Sequence, residues 1–367
     1  MLADVSRRQP NLQASDTPTT AVAPPPPPPG HARPRRRSRS LLIALFIAAS
    51  SWYFCARALA TSVVDGLGYR FDLGDFQPLI ETVLLLSLVV VGLAILRGIE
   101  RRRAPLRLAL GLPRRRTSRE EWATGAAIGW GLAVASILPM AVTGALNVQL
   151  WSSPRAYLLF GTSLATLAVA TLAKDVGVHG YAFQRLIDAI GPVRATILMA
   201  IFAAVYTGMN PAATPAAIVV SVLSSILLSL CWLRTQAVWL LWGLHFAWAA
   251  STGVLFGLPL GGDTSFSSIV DTRAIGPMWL TGGNYGPSGA MLSIVFLLAA
   301  IAVLVRASSD YAWNYTHPPI IPAGYDVTIP PPAAHVAMEQ AQAVQPASLV
   351  QILPAAPPAP TRPGMPE

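Results

Sequence analysis

The run Lys174-Asp175-Val176-Gly177-Val178-His179-Gly180-Tyr181 places three ionisable side chains at the end of an apolar stretch. Such groups are costly at membrane depth and sit in a bundle interior, a polar cavity or the interface. On a helix, Asp175 and His179 are four residues apart and stack on one face, where they can pair. Lys174 points about 100° away from them. One reading is a buried acid–base pair that fixes helix packing, with Lys174 snorkelling towards the interface. The other is a general base or a metal-ligating set. His245, within Gly243-Leu244-His245-Phe246-Ala247-Trp248-Ala249, is a second intramembrane candidate. Imidazole and carboxylate suit zinc, so a zinc ion on His179, Asp175 and His245 is conceivable. The sequence requires no cofactor and no metal site is assigned. Tyr206-Thr207-Gly208-Met209-Asn210-Pro211 reads as a helix end, since Asn-Pro favours a turn. Glu81 is an isolated acid with no evident partner.

These residues must be held by membrane-spanning helices. Hydrophobic residues make up 53% of the 367 and charged residues 12%, a composition foreign to a soluble enzyme. Eight apolar segments have about the length that crosses a bilayer as a helix: 41–64, 78–97, 122–146, 156–176, 193–209, 213–233, 236–257 and 289–306. The fourth continues amphipathically to about Ile190, where Gly191-Pro192 ends it. The expected fold is an all-α polytopic membrane bundle of about eight transmembrane helices with disordered Pro-rich termini. Its divisions are a Pro/Arg-rich tail over 1–40, N-terminal transmembrane helices with a basic loop over 41–155, a helical core over 156–306, and a Pro/Ala-rich tail over 307–367. The hexaproline Pro24 to Pro29 cannot build a core. No internal repeat and no phosphate-cradling glycine loop is visible.

The net charge of +9 is carried by arginine, Lys174 being the only lysine. Arg33, Arg35, Arg36, Arg37 and Arg39 precede the first span, and nine arginines from Arg97 to Arg119 fill one loop. Positive-inside topology accounts for both clusters, with the lipid bilayer and not nucleic acid as the partner. It places both termini in the cytoplasm and 258–288 outside, in the cell (plasma) membrane. Cys55 and Cys231 lie in apolar spans, so no disulfide framework is indicated.

Read in order, the polar segments resemble the CPBP family, the CAAX prenyl protease and bacteriocin-processing intramembrane proteases also called Abi. Its first motif is Glu-Glu-x-x-x-Arg-Gly followed by a run like Tyr-x-x-Gln-Arg-Leu. Here Lys174-Asp175, His179-Gly180-Tyr181 and Gln184-Arg185-Leu186 keep that frame. Thr207 stands where the second motif has a histidine before a Gly-x-Asn-Pro-like turn, and His245 to Ala249 stand for His-x-x-x-Asn. The resemblance covers about 156–306. It implies that positions 174 and 207 position and activate the attacking water, and that 245 and 249 stabilise the oxyanion. Of these, only His245 keeps the family residue; Lys174, Thr207 and Ala249 are degenerate positions. Losing a single oxyanion donor typically costs on the order of 10²–10³ in rate. The leading expectation is therefore a pseudoprotease that binds a membrane-protein or peptide partner. The alternative is an active intramembrane endopeptidase with an altered site around His245. Asp175 and His179 are expected to survive as a structural pair. A transporter is a weaker third class, for want of intramembrane charges and repeats.

Overall fold

The computed structural model describes residues 38–100, 105–266, 268–307, 336–338 and 340–341. The tails expected at 1–40 and 307–367 lie almost wholly outside these residues. Every expected apolar segment forms a helix: α1 Arg39–Phe71, α2 Gln77–Glu100, α4 Ser118–Val142 after a short α3 Leu106–Ala109, α5 Pro154–Asp175, α7 Pro192–Gly208, α8 Pro215–Thr235, α9 Trp239–Ala250 and α11 Met291–Ala307. The helix of α5 runs on through a π-helical stretch, Val176–Phe183, into α6 Gln184–Ile190. Starts and stops follow local chemistry. The side chains of Ser153 and Thr214 accept from Ala156 N and Ala217 N, with Pro154 and Pro215 at the first helical positions. Gly191, at φ 88°, separates α6 from α7 as the sequence indicates.

The membrane reading needs one refinement. Five helices are long and apolar enough to cross a bilayer, namely Arg39–Phe71, Gly74–Glu100, Ser118–Val142, Pro154–Ile190 and Pro215–Thr235. Three of the eight expected spans are shorter. Pro192–Gly208 and Met291–Arg306 fall below that length, and α9 is a 12-residue helix extended by a π turn, Ser251–Leu255. The reason for α9 lies in its neighbours. It packs against α4, α5 and α8, so protein rather than lipid sets its length. Large apolar side chains such as Ile95, Trp130, Ile201 and Val303 are exposed instead on the outside of the bundle, as lipid contact allows.

Loop contacts gather at two ends of the helical bundle. At one end, β1 Leu146–Leu150 pairs antiparallel with β2 Val270–Ala274, Leu146 opposite Ala274. Asn210 Nδ2 donates to Gly261 O at 2.9 Å, and Arg155 grips Asp75 through two hydrogen bonds of 3.0 and 2.8 Å. At the other end, the basic loop docks on the α8–α9 turn: Val238 N donates to Gly111 O and Arg115 Nη1 to Thr235 O. Arg185, fully buried, lies 3.4 Å from Glu100 and 3.0 Å from Asp188, with its guanidinium 4.8 Å from the Tyr181 ring centre. This ties the end of α2 to α6.

The tightest seam joins α4 to α9. A Cβ on Gly125 would stand 2.0 Å from Leu240 O, one on Gly129 2.2 Å from Leu244 O, and one on Gly243 2.1 Å from Trp122 O. Small residues spaced by four let membrane helices approach backbone to backbone. Gly129→Val is expected to lower stability by about 2 kcal/mol or more, whereas Gly131→Ala, which meets no atom within 4 Å, should be nearly neutral. Thermal unfolding of the detergent-solubilised variants checks this; equal melting temperatures would remove the seam from the account.

Candidate functional site

The α4–α9 seam presses α9 against α5, and this brings the first and third polar segments together. His245 Nδ1 lies 3.0 Å from Asp175 Oδ1. Asp175 is fully buried, and the His245 side chain retains 19% of its surface. With the carboxylate ionised and the imidazole neutral, Nδ1–H donates to Asp175 and Nε2 is left as an acceptor. The site thus contains an acid-oriented imidazole, an arrangement able to take a proton from a nearby donor.

The pairing corrects the expected Asp175–His179 couple. Both ring nitrogens of His179 are buried without a hydrogen-bond partner, and its ring packs edge-on against Phe183. The four-residue stacking assumed for an α-helix does not hold across Val176–Phe183, where the turn widens to an i→i+5 pattern. Glycines permit that local path. A Cβ on Gly177 would meet the Tyr53 ring at 2.9 Å, and one on Gly180 would meet Leu110 O at 2.3 Å. Asp175 Oδ2 also lacks a partner. Nor do His179, Asp175 and His245 assemble a metal centre: among the described residues, no group of three or more His, Cys, Asp or Glu is placed to hold an ion.

The other candidate positions have separate surroundings. Thr207 is buried at the end of α7 and lines a pocket of ≈ 230 Å³ with Tyr206, Met209, Asn210 and Tyr285. Tyr285 comes from a glycine-rich loop over 276–287 and faces the same pocket as Thr207; burial raises its phenol above the ordinary value. The loop therefore supplies a wall of this pocket, a role its sequence did not disclose. Ala249 sits in an apolar cluster with Leu167 and Val254, flanked by Phe246 and Leu260. Lys174 lies in the last turn of α5, next to Asp175. Glu81 is not isolated, because the Thr61 hydroxyl donates to it.

Two residues of the site lie outside every motif. Tyr53 on α1 packs against the π-helical stretch, and Arg57, one turn further, donates from Nη1 to the Tyr206 hydroxyl at 3.2 Å. Their only sequence signal is an arginine within an apolar span.

Residues 156–251 match the family model described as type II CAAX prenyl endopeptidase Rce1-like. Over this segment the chain is similar to the CAAX-protease (CPBP) family. The matched segment runs from the first turn of α5 to the end of α9, and so includes Lys174, Asp175, Thr207, His245 and Ala249. No curated protein and no solved structure matched the chain. With its apolar helices, this core makes the chain a CAAX-protease-like integral membrane protein.

The geometry predicts an energetic coupling that a double-mutant cycle can measure. Asp175→Asn and His245→Ala, each compared with the pair combined, should show an interaction energy of about 0.5–3 kcal/mol. The equivalent cycle between Asp175→Asn and His179→Phe should give a smaller value. Lys174→Ala should leave thermal stability nearly unchanged, whereas Asp175→Ala should lower it. Equal coupling in both cycles would restore the pair expected from spacing alone.

Proposed function

We propose that this CAAX-protease-like protein is a catalytically degenerate member that binds membrane-protein segments or a partner protein instead of cleaving them. The observation that carries the reading is the chemistry available at the site. A protonated Lys174 cannot accept a proton, Thr207 is a poor base, and Ala249 lies among apolar side chains with no group to offer an oxyanion. The ligand would enter the pocket beside Thr207, Asn210 and Tyr285. The protein would reside in the cell (plasma) membrane with both termini in the cytoplasm, the arginine-rich loop facing inward.

One observation favours a second reading. The Asp175–His245 hydrogen bond orients an imidazole as a general base is oriented in hydrolases, with the acid holding the tautomer. An intramembrane endopeptidase, CAAX-type or bacteriocin-processing-like, would use His245 Nε2 to take a proton from water. It would do so without the family's asparagine donor at 249.

A quantitative survey of new protein termini separates the two. Membranes of a deletion strain carrying the intact protein are compared with those carrying His245→Ala, at matched expression. The binding reading expects identical sets of termini. Termini found only with the intact protein would establish His245-dependent proteolysis and replace the first reading with the second.

A further inference from the structure

The two-stranded sheet has one closed edge and one open edge. Trp151 N donates to Ile269 O and Ile275 N to Ala145 O. With Leu146 opposite Ala274, the β1 residues that exchange hydrogen bonds with β2 are therefore Asn147 and Gln149. In an antiparallel ladder the alternate residues turn their N–H and C=O groups the other way. On β2 these outward groups meet the chain itself: Thr272 N donates to Gly257 O at 3.1 Å, and a Cβ on Gly257 would collide with Val270 O. On β1 they belong to Leu146, Val148 and Leu150, and among the described residues no third strand covers them.

The open edge lacks the usual guards. Edge strands that stay unpaired carry lysine, proline or a bulge, whereas β1 is Leu-Asn-Val-Gln-Leu and bears no charge. Val148 is 53% and Leu150 75% exposed. The sheet is also amphipathic. Leu146, Val148, Val270 and Thr272 face α4 across an apolar groove of ≈ 180 Å³, and by alternation Asn147, Gln149, Asp271 and Arg273 take the other face. At a bilayer boundary an amphipathic element lies with its apolar face towards the lipid. Unpaired backbone groups are expensive there, where water is scarce.

The sequence of the edge says which partner fits. Leu146-Asn147-Val148-Gln149-Leu150 reads nearly the same from either end. A second β1 laid antiparallel about Val148 sets Leu146 against Leu150 and Val148 against its own copy. These are the residues whose backbone groups point outward on both strands, and each such pair exchanges two hydrogen bonds. On the polar face Asn147 meets Gln149, amide to amide. We infer that β1 is the interface of a symmetric dimer, in which the edges of two copies join into one four-stranded sheet. A two-fold axis lets the same patch serve both copies. Perpendicular to the sheet, that axis runs along the bilayer normal, so both copies insert in one orientation. An unrelated extended segment would answer the hydrogen bonds but has no reason to match the side chains as well. The dimer does not depend on whether the degenerate positions retain activity.

Full-length protein in membranes, with Cys55→Ser and Cys231→Ser as background, is oxidised mildly and read for cross-linked dimer. Hydrogen-bonded antiparallel pairs hold their Cα atoms about 5.5 Å apart, within disulfide reach. Val148→Cys should cross-link to itself, and Leu146→Cys to Leu150→Cys on a differently tagged copy. Leu146→Cys should give no product with itself, because the two positions stand four residues apart along the strand at ~3.4 Å each. Arg273→Cys, on the closed strand, should give none either. Asn147→Lys with Gln149→Lys sets like charges opposite one another on the exposed face. In lipid vesicles, single-molecule photobleaching should show this variant as monomer and the natural sequence as dimer. Mixing it with a copy carrying Asn147→Glu and Gln149→Glu should restore dimers. If the cysteine-free background fails to fold, the charge variants carry the comparison in the natural one. A monomeric natural protein, cross-linking without regard to register, or a dimer that survives the lysine variant would each overturn the inference. A Val148→Cys adduct with a different protein would give the edge to that partner and likewise dismiss the second copy.

Discussion

The arrangement of the polar residues depends on how closely α4 and α9 approach. At Gly125, Gly129 and Gly243 the two backbones stand where side chains would otherwise be. Lipid offers no hydrophobic drive for helices to associate, so shape and close packing must hold them together. Once α9 is seated in this seam, one side faces α4 and another faces α5. Among the described residues, His245 then has one charged neighbour within hydrogen-bond distance, Asp175. A bulkier residue in the seam would move the imidazole as well as loosen the fold. The chemistry of the site is thus set by residues that have none of their own.

A second constraint is the cost of leaving polar groups unpartnered where water is scarce. The structure meets it unevenly. Arg185 is fully buried and is surrounded by Glu100, Asp188 and the Tyr181 ring; removing one member of such a group leaves an uncompensated charge. Among the described residues, His179 and Asp175 Oδ2 have no hydrogen-bond partner, and neither do Arg185 Nε and Nη2, although Arg185 has carboxylates beside it. The first set is a structural tie at the basic end of the bundle. The second lies beside the pair formed by Asp175 and His245. Stability and site chemistry are therefore carried by different polar clusters, although both sit on the one continuous helix Pro154–Ile190.

Much of the fold was legible because its signals are local. Apolar length marked the helices, Gly191-Pro192 marked the break before α7, and the spacing of Gln184-Arg185-Leu186 kept a family frame. What the sequence concealed was relational. The π-helical stretch at Val176–Phe183 has no distinctive composition, yet it breaks the four-residue stacking from which Asp175 and His179 were paired. Arg57 belongs to no motif and enters the site only because α1 packs beside the π-helical stretch. Glu81 looked unpartnered because Thr61 lies twenty residues away on a different helix. The length of α9 was overestimated for a related reason: bilayer thickness governs a lipid-facing helix, but α9 is enclosed by protein.

The degenerate positions differ in what replaced the family residue, and the difference constrains any account of the site. Ala249 merges into an apolar cluster, the outcome expected when a polar requirement lapses and packing takes over. Thr207 remains polar and lines the pocket together with Tyr285 from the glycine-rich loop. Lys174 did not relax to an apolar residue. It stands next to Asp175, whose Oδ2 has no hydrogen-bond partner among the described residues. The remaining acid–imidazole pair follows from the packing of α9 on α5.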